Sequence, residues 1–190
     1  LQPQASLTVI DQSTGEVKAI VGGRGDKTAS KTLNRATDTT RQPGSTFKIL
    51  AAYSAALDAG GLTLASVQDD APYTYAGANG KSVNNYDRRY RGFTTLREAI
   101  TDSINIVTVK TLAQAGVSLG WQYVQEYGFT TVDSRDMNEA LALGGITQGV
   151  SNLELTAAYA AIANQGTYIR PKFYTKILDH DGNVLIDNTT

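Results

Sequence analysis

The order of two kinds of hydrophobic pattern constrains this chain most. Residues 6–22 alternate apolar and polar around Asp11-Gln12-Ser13-Thr14-Gly15: Leu7 and Val9 precede that turn, and Val17, Ala19 and Val21 follow it. Alternation on both sides of turn residues predicts a β-hairpin. The closing stretch "KFYTKILDHDGNVLID" repeats the scheme as strand, Asp-Gly turn, strand. Everything with helical character lies between. Such an order predicts an α+β fold, the two hairpins pairing into one antiparallel sheet with helices packed at one side.

The helical block carries its own punctuation. A polar loop over 23–44 ends in Pro43-Gly44, and an apolar helix is expected from about 46 to 59, stopped by Gly60-Gly61. Residues 66–93, rich in Tyr, Asn, Gly and charge, read as a second long loop. Thr95-Leu96-Arg97-Glu98 and Ser151-Asn152-Leu153-Glu154 are capping boxes. The first opens a short helix to about Asp102, the second a helix ended by Gly166. "SINIVTVKTLAQAG" and "GWQYVQEYG" supply two more, closed by Gly116 and Gly128. Residues 1–44 and 167–190 are therefore expected to form sheet and linker, and 45–166 a mainly helical subdomain.

Composition excludes several classes of function. The net charge of −1 gives no field for nucleic acid, and Arg88-Arg89-Tyr90-Arg91 reads as a solvated loop. With no cysteine, disulfides and thiol catalysis are out. No run of about 18 apolar residues occurs, so no membrane contact is expected from this segment. Leu1-Gln2-Pro3 and Asn188-Thr189-Thr190 read as cut ends, which suggests a piece of a longer protein.

The candidate chemistry begins in "RQPGSTFK". Ser45 follows a helix-breaking Pro-Gly pair and precedes an apolar helix, so it falls near a helix start, where free N–H groups and the helix dipole favour developing negative charge. Lys48, three residues on, shares its face. Burial and the positive helix end would keep its amine uncharged, able to accept the serine proton. The plain alternative is a helix cap followed by a surface lysine. About one Ser-x-x-Lys is expected by chance in a chain of this length. Two details favour chemistry. Phe47, Ile49 and Leu50 make the flanks apolar, and of eleven serines only Ser45 is followed by lysine at the third position.

Ser103-Ile104-Asn105, at the break between two helices, is the candidate relay and clamp: the hydroxyl toward the nucleophile, the carboxamide toward a substrate amide. It too has a capping alternative. Ser82-Val83-Asn84 has the same spacing but is set aside, since it lies in a polar loop with no helix to hold it.

"RQPGSTFK", "NYDRRYRG", "TLREAITDSIN" and "GGITQGVSNLELTAAYAAIANQGTYIRP", in that order, resemble the transpeptidase domain of penicillin-binding proteins. "VIDQSTGEVKAIVGG" and "NRATDTTRQPGSTFK" are similar to the lead-in of the bifunctional class A kind. The resemblance runs over essentially the whole chain. It implies the penicillin-binding protein/serine β-lactamase-like fold, with a helical subdomain and part of an antiparallel sheet. It also implies a serine acyltransferase that cross-links peptidoglycan stem peptides and is blocked covalently by β-lactams. Ser45 would be the nucleophile, Lys48 the general base, Ser103 the proton relay and Asn105 the substrate-binding amide. No metal or cofactor is implied. The place would be the extracytoplasmic face of the bacterial membrane, anchored from outside this segment.

One departure matters. The family's Lys-Thr-Gly element is absent: Lys31-Thr32 and Lys110-Thr111 are each followed by Leu. The rest of the transpeptidase domain is therefore expected as a partner, and this chain alone is expected not to acylate. The alternatives within the fold are a β-lactamase or a non-catalytic β-lactam sensor or wall-binding domain. No Glu-x-x-x-Asn element supports the first.

Lesser motifs take plain readings. Arg24-Gly25-Asp26 is a chance tripeptide, and "DHDGNV" around His180 is a hairpin turn. Gly144, Gly145 and Gly149 are backbone turns. Tyr73, Tyr75, Tyr86 and Tyr90 either line a groove or anchor loops.

Overall fold

The computed structural model describes residues 3–76 and 81–189. Leu1, Gln2 and Thr190, on which the reading of cut ends leans, lie outside the described residues, as does the middle of the expected loop over 66–93. The backbone divides into two compact units, residues 1–40 with 151–190, and residues 41–150.

In the first unit, β1 (Leu7–Ile10) and β2 (Val17–Val21) form the expected antiparallel hairpin, with Leu7 opposite Val21 and a bulge at Val9/Ile10. The helix opened by Ser151, Asn152–Ala163, has both halves of its capping box: the Ser151 hydroxyl accepts from Glu154 N and the Glu154 side chain accepts from Ser151 N. It buries Ala157, Ala158 and Ala161 and is tied to β1 by the Thr8 hydroxyl donating to Asn152 Oδ1 at 2.7 Å. The C-terminal hairpin pairs Lys176–Leu178 with Val184–Asp187, and Asp179 closes the turn by accepting from Asp181 N and Asn183 N.

The two hairpins do not join one sheet. Among the described residues each stays two-stranded. Their link is a parallel bridge between Glu16 and Lys172, with Val17 N donating to Lys172 O and Lys172 N donating to Gly15 O, both at 2.9 Å. The chain enters the last hairpin running parallel to the start of β2, which is the wrong sense for antiparallel addition. Every residue of its two strands is exposed.

In the second unit, the helix expected over 46–59 is three pieces: a 3-10 turn at Gly44–Thr46, a π-helical turn at Ile49–Tyr53, and α1 at Ser54–Asp58. Ser54 stabilises the widened turn, its N–H and its hydroxyl both donating to Ile49 O. π turns of this kind recur at functional sites. α2 (Leu96–Thr101) carries the capping box on Thr95 and Glu98, α3 covers Asn105–Ala115 and α4 covers Val117–Glu126. α4 crosses the π turn at Gly120, where a Cβ would collide with the Ala51 carbonyl oxygen and Leu112. The core gathers Phe47, Leu50, Tyr53, Leu96, Ile104, Ile106, Val107, Leu112 and Leu141, all at most 2% exposed. Within it, the Phe47 and Phe129 rings tilt together at 5.2 Å, and Tyr53 OH bonds Thr108 Oγ1 at 2.8 Å.

The stretch over 66–93 is not a plain loop. It forms two small antiparallel sheets, β3 (Val67–Asp70) with β6 (Gly92–Thr95), and β4 (Tyr73–Thr74) with β5 (Ser82–Val83). Its strands are polar, which hides the alternation that signals sheet. Asp70 is fully buried there, made tolerable by Asn85 and by the backbone N–H of Arg91. Tyr73 anchors its segment: its OH donates to the buried Glu139 at 2.9 Å, as does the N–H of Ala76 three residues on.

Candidate active site

Of Ser45, Lys48, Ser103 and Asn105, the fold brings the last three into direct contact. Lys48 is 3% exposed. Its Nζ donates to Ser103 O at 2.6 Å, to Ser103 Oγ at 2.9 Å and to Asn105 Oδ1 at 2.6 Å. Those three acceptors match the three N–H bonds of an ammonium. Oxygen acceptors favour the charged form, but burial opposes it and lowers the Lys48 pKa to about 8. At pH 7 roughly a tenth of such lysines are neutral.

Ser45 occupies the 3-10 turn immediately before this lysine. It is exposed, and among the described residues its hydroxyl makes no hydrogen bond. The capping alternative fails on both counts: no side chain caps the 3-10 turn or the π turn, and Lys48 is not a surface residue. Gly44 and Ser45 stand in the first turn, where backbone N–H groups lack helical acceptors.

Two loops hold this arrangement. The segment before Ser45 is clasped by residues 144–150. Arg41 and Val150 exchange both backbone bonds at 2.9 Å, and the Gln42 amide donates to Ile146 O and accepts from Ile146 N. Gly144, at φ +72°, lies so close that a Cβ would sit 2.6 Å from the backbone N and O of Gly44. The glycines read as simple turns thus permit backbone-to-backbone contact beside the serine. The clasp is keyed by Asp136, 1% exposed, which accepts from Thr147 N at 2.8 Å and Thr147 Oγ1 at 2.6 Å.

On the other side, the break between α2 and α3, residues 102–104, turns on one residue in the left-handed region, Ser103 at φ +53°. A non-glycine residue there costs on the order of 1–3 kcal/mol and is found where function or packing demands it. Here the conformation aims both the carbonyl and the hydroxyl of Ser103 at Lys48. Asn105 opens α3, and its Nδ2 donates to Asn84 O at 2.8 Å. A cleft of about 160 Å³, lined by Asn85, Tyr86, Asp87, Arg91, Asp102 and Ser103, opens beside this serine. Two signals in the sequence touch these asparagines without marking a support role: Asn84 closes the Ser82-Val83-Asn84 pattern that was set aside, and Asn85 opens the block "NYDRRYRG".

Chemically, a free hydroxyl precedes an amine poised near neutrality, itself wired to a second hydroxyl and a carboxamide. That set can move a proton off a serine and hand it onward. Among the described residues no group of His, Cys, Asp and Glu is arranged to hold a metal ion.

Residues 5–190 match the family described as "Penicillin binding protein transpeptidase domain". The chain is 37% identical over 203 residues to penicillin-binding protein 1A of Clostridium tetani, covering 99% of this chain and 25% of that protein. It is 42% identical over 185 residues to penicillin-binding protein 1F of Bacillus subtilis, covering 97% of this chain and 25% of the relative. The crystal structure of penicillin-binding protein 1A from Haemophilus influenzae superposes with a TM-score of 0.82 at 32% identity, over 97% of this chain and 27% of that one. The chain thus spans about a quarter of the length of these relatives. It belongs to the penicillin-binding protein transpeptidase domain family.

Proposed function

We propose that this chain is the N-terminal portion of a single D,D-transpeptidase domain that cross-links peptidoglycan stem peptides through an acyl-enzyme on Ser45. The observation that carries the reading is Lys48: buried, hydrogen-bonded to Ser103 Oγ and Asn105 Oδ1, and three residues from an exposed serine whose hydroxyl makes no hydrogen bond among the described residues. Neutral Lys48 takes the Ser45 proton as Oγ attacks the carbonyl of the penultimate D-Ala. The C–N bond then breaks, and Ser103 relays the proton to the leaving D-Ala amine. An amine of a neighbouring stem attacks the ester, forms the new amide and returns Ser45 to its hydroxyl. Asn105 orients the substrate backbone. A β-lactam mimics the donor and stalls at the ester. A strand with Lys-Thr-Gly, supplied by the rest of the domain, completes the carboxylate and oxyanion contacts. The domain works on the outer face of the bacterial membrane, its anchor lying elsewhere in the protein; among the described residues no helix is long and apolar enough to cross one.

Labelling with a fluorescent penicillin tests this. The full-length protein is expected to label and to release the adduct slowly, Ser45→Ala to stay dark, and the isolated 190-residue chain to stay dark as well. Labelling of Ser45→Ala at the rate of the parent defeats the assignment of the nucleophile. Rapid turnover of the drug favours a β-lactamase instead.

A further inference from the structure

We propose that Asn85 is a positioning residue that sets the amide of Asn105 against Lys48. The inference rests on the acyl-transfer reading above and adds a residue that no motif assigns. Asn105 has a choice of two amide orientations, and only one suits a general base: oxygen toward the lysine, nitrogen away. The choice is made by Asn84 O, which can only accept and sits 2.8 Å from Asn105 Nδ2. Asn84 itself is exposed, and its side chain plays no part in this. Its carbonyl is placed by its neighbours, Val83 at 3% and Asn85 at 4% exposure.

Asn85 uses every polar atom it has. Nδ2 donates to Asp70 Oδ1 at 2.8 Å, to Asp70 Oδ2 at 3.0 Å and to Arg89 O at 2.8 Å, while Oδ1 accepts from Ile106 N at 3.2 Å. Asp70 is fully buried and is held in turn by Arg91, whose N–H donates at 2.9 Å and whose guanidinium lies at 3.8 Å. The bond to Ile106 N has a further meaning. Ile104 stands at the N-cap of α3 and cannot cap it, so a first-turn N–H would be buried without a partner. Asn85 supplies that cap from 21 residues upstream. One side chain therefore fixes both the helix that carries Asn105 and the carbonyl that orients its amide, while its own hydrogen bonds go to Asp70, Arg89 and Ile106 rather than to Lys48.

The test uses the full-length protein and separates the non-covalent Kd for a labelled penicillin from the acylation rate constant. Asn85→Asp keeps an oxygen for Ile106 N–H but loses every donated bond and sets a carboxylate against Asp70. It is expected to slow acylation by at least about tenfold, the scale of effect expected when a supporting group lets a reacting group drift. Kd should stay within about threefold. The reciprocal double variant Asp70→Asn with Asn85→Asp restores an amide facing a carboxylate. It is expected to recover acylation to within about threefold of the parent, which a merely destabilised loop would not show. Should Asn85→Asp fail to fold, the double variant alone decides. A folded Asn85→Asp with unchanged acylation, or a folded double variant still at least about tenfold slow, overturns the proposal. Ser45→Ala run in parallel keeps the two readings apart, because labelling of that variant defeats the acyl-transfer reading whatever Asn85 does.

Discussion

Residues 82–84 and 103–105 carry the same Ser-x-Asn pattern and come to opposite uses. In both the middle residue is buried, Val83 at 3% and Ile104 at 2%. Ser82 lies in an extended strand opposite Thr74, so alternation turns Ser82 and Asn84 outward together. Ser103 instead adopts φ +53° at the junction of two helices, and that one backbone angle swings its hydroxyl, its carbonyl and the following Asn105 onto Lys48. The pair is not independent. The segment set aside as a polar loop supplies, one residue past its strand, the Asn84 carbonyl that holds Asn105. Residue types at a spacing specify little until a backbone conformation decides where they converge.

That contrast can be broken most decisively by removing each hydroxyl. Ser103→Ala should cut penicillin acylation of the full-length protein by about 10²–10³-fold, within the usual range for a proton-transfer group. Ser82→Ala should leave it within about twofold, since Ser82 is exposed and its place in the strand opposite Thr74 is held by backbone pairing. Comparable losses at both serines would erase the distinction.

The pH profile sharpens it further. With the Lys48 pKa lowered to about 8 by burial, the ammonium dominates below that value and cannot accept the serine proton. Acylation should rise about tenfold per unit up to pH ~8 and then level off. Ser82→Ala and Asn84→Ala should keep this limb, because the Asn84 contact uses a backbone carbonyl. Stability follows the same group with the opposite emphasis. The folded-state pKa lies below the unfolded value near 10.5, so the penalty for burying the charge is present in full below pH ~8 and is relieved as pH rises from there toward 10.5. A flat acylation profile from pH 6 to 9 would deny Lys48 its role.

The smallest effect is the most specific. At Ser103 glycine should be more stable than alanine by about 1 kcal/mol, since only glycine takes a positive φ without strain. At Ser82 the order should reverse by about 0.5–1 kcal/mol, because glycine weakens a strand. Thermal unfolding of the four variants reads both signs, and the same order at both sites would contradict the difference in backbone.

Local signals carried far in this chain. Both capping boxes formed as read, because a cap is satisfied within four residues. The first and last hairpins formed for the same reason: the turn and its two flanking strands are contiguous. The misreadings involve partners far apart in sequence. β3 meets β6 between residues 22 to 28 apart, from Asp70 opposite Gly92 to Val67 opposite Thr95, and their polar strands owe their order to Asp70, Asn85 and Arg91. The π turn depends on Gly120 letting α4 approach Ala51, and the two hairpins stay apart because Lys172 runs parallel to β2.

By itself the sequence determined the α+β order, the caps, and which serine, lysine and asparagine to suspect, since each of these is written in neighbouring residues or in blocks of motif. Tertiary structure alone decided that Lys48 is buried and wired to Ser103 and Asn105, that Ser45 is clasped through Gly44 and Gly144, and that Asn84 and Asn85 belong to the support. The reason is physical. Desolvation, close backbone approach and a left-handed residue between two helices all arise from packing segments that lie up to a hundred residues apart.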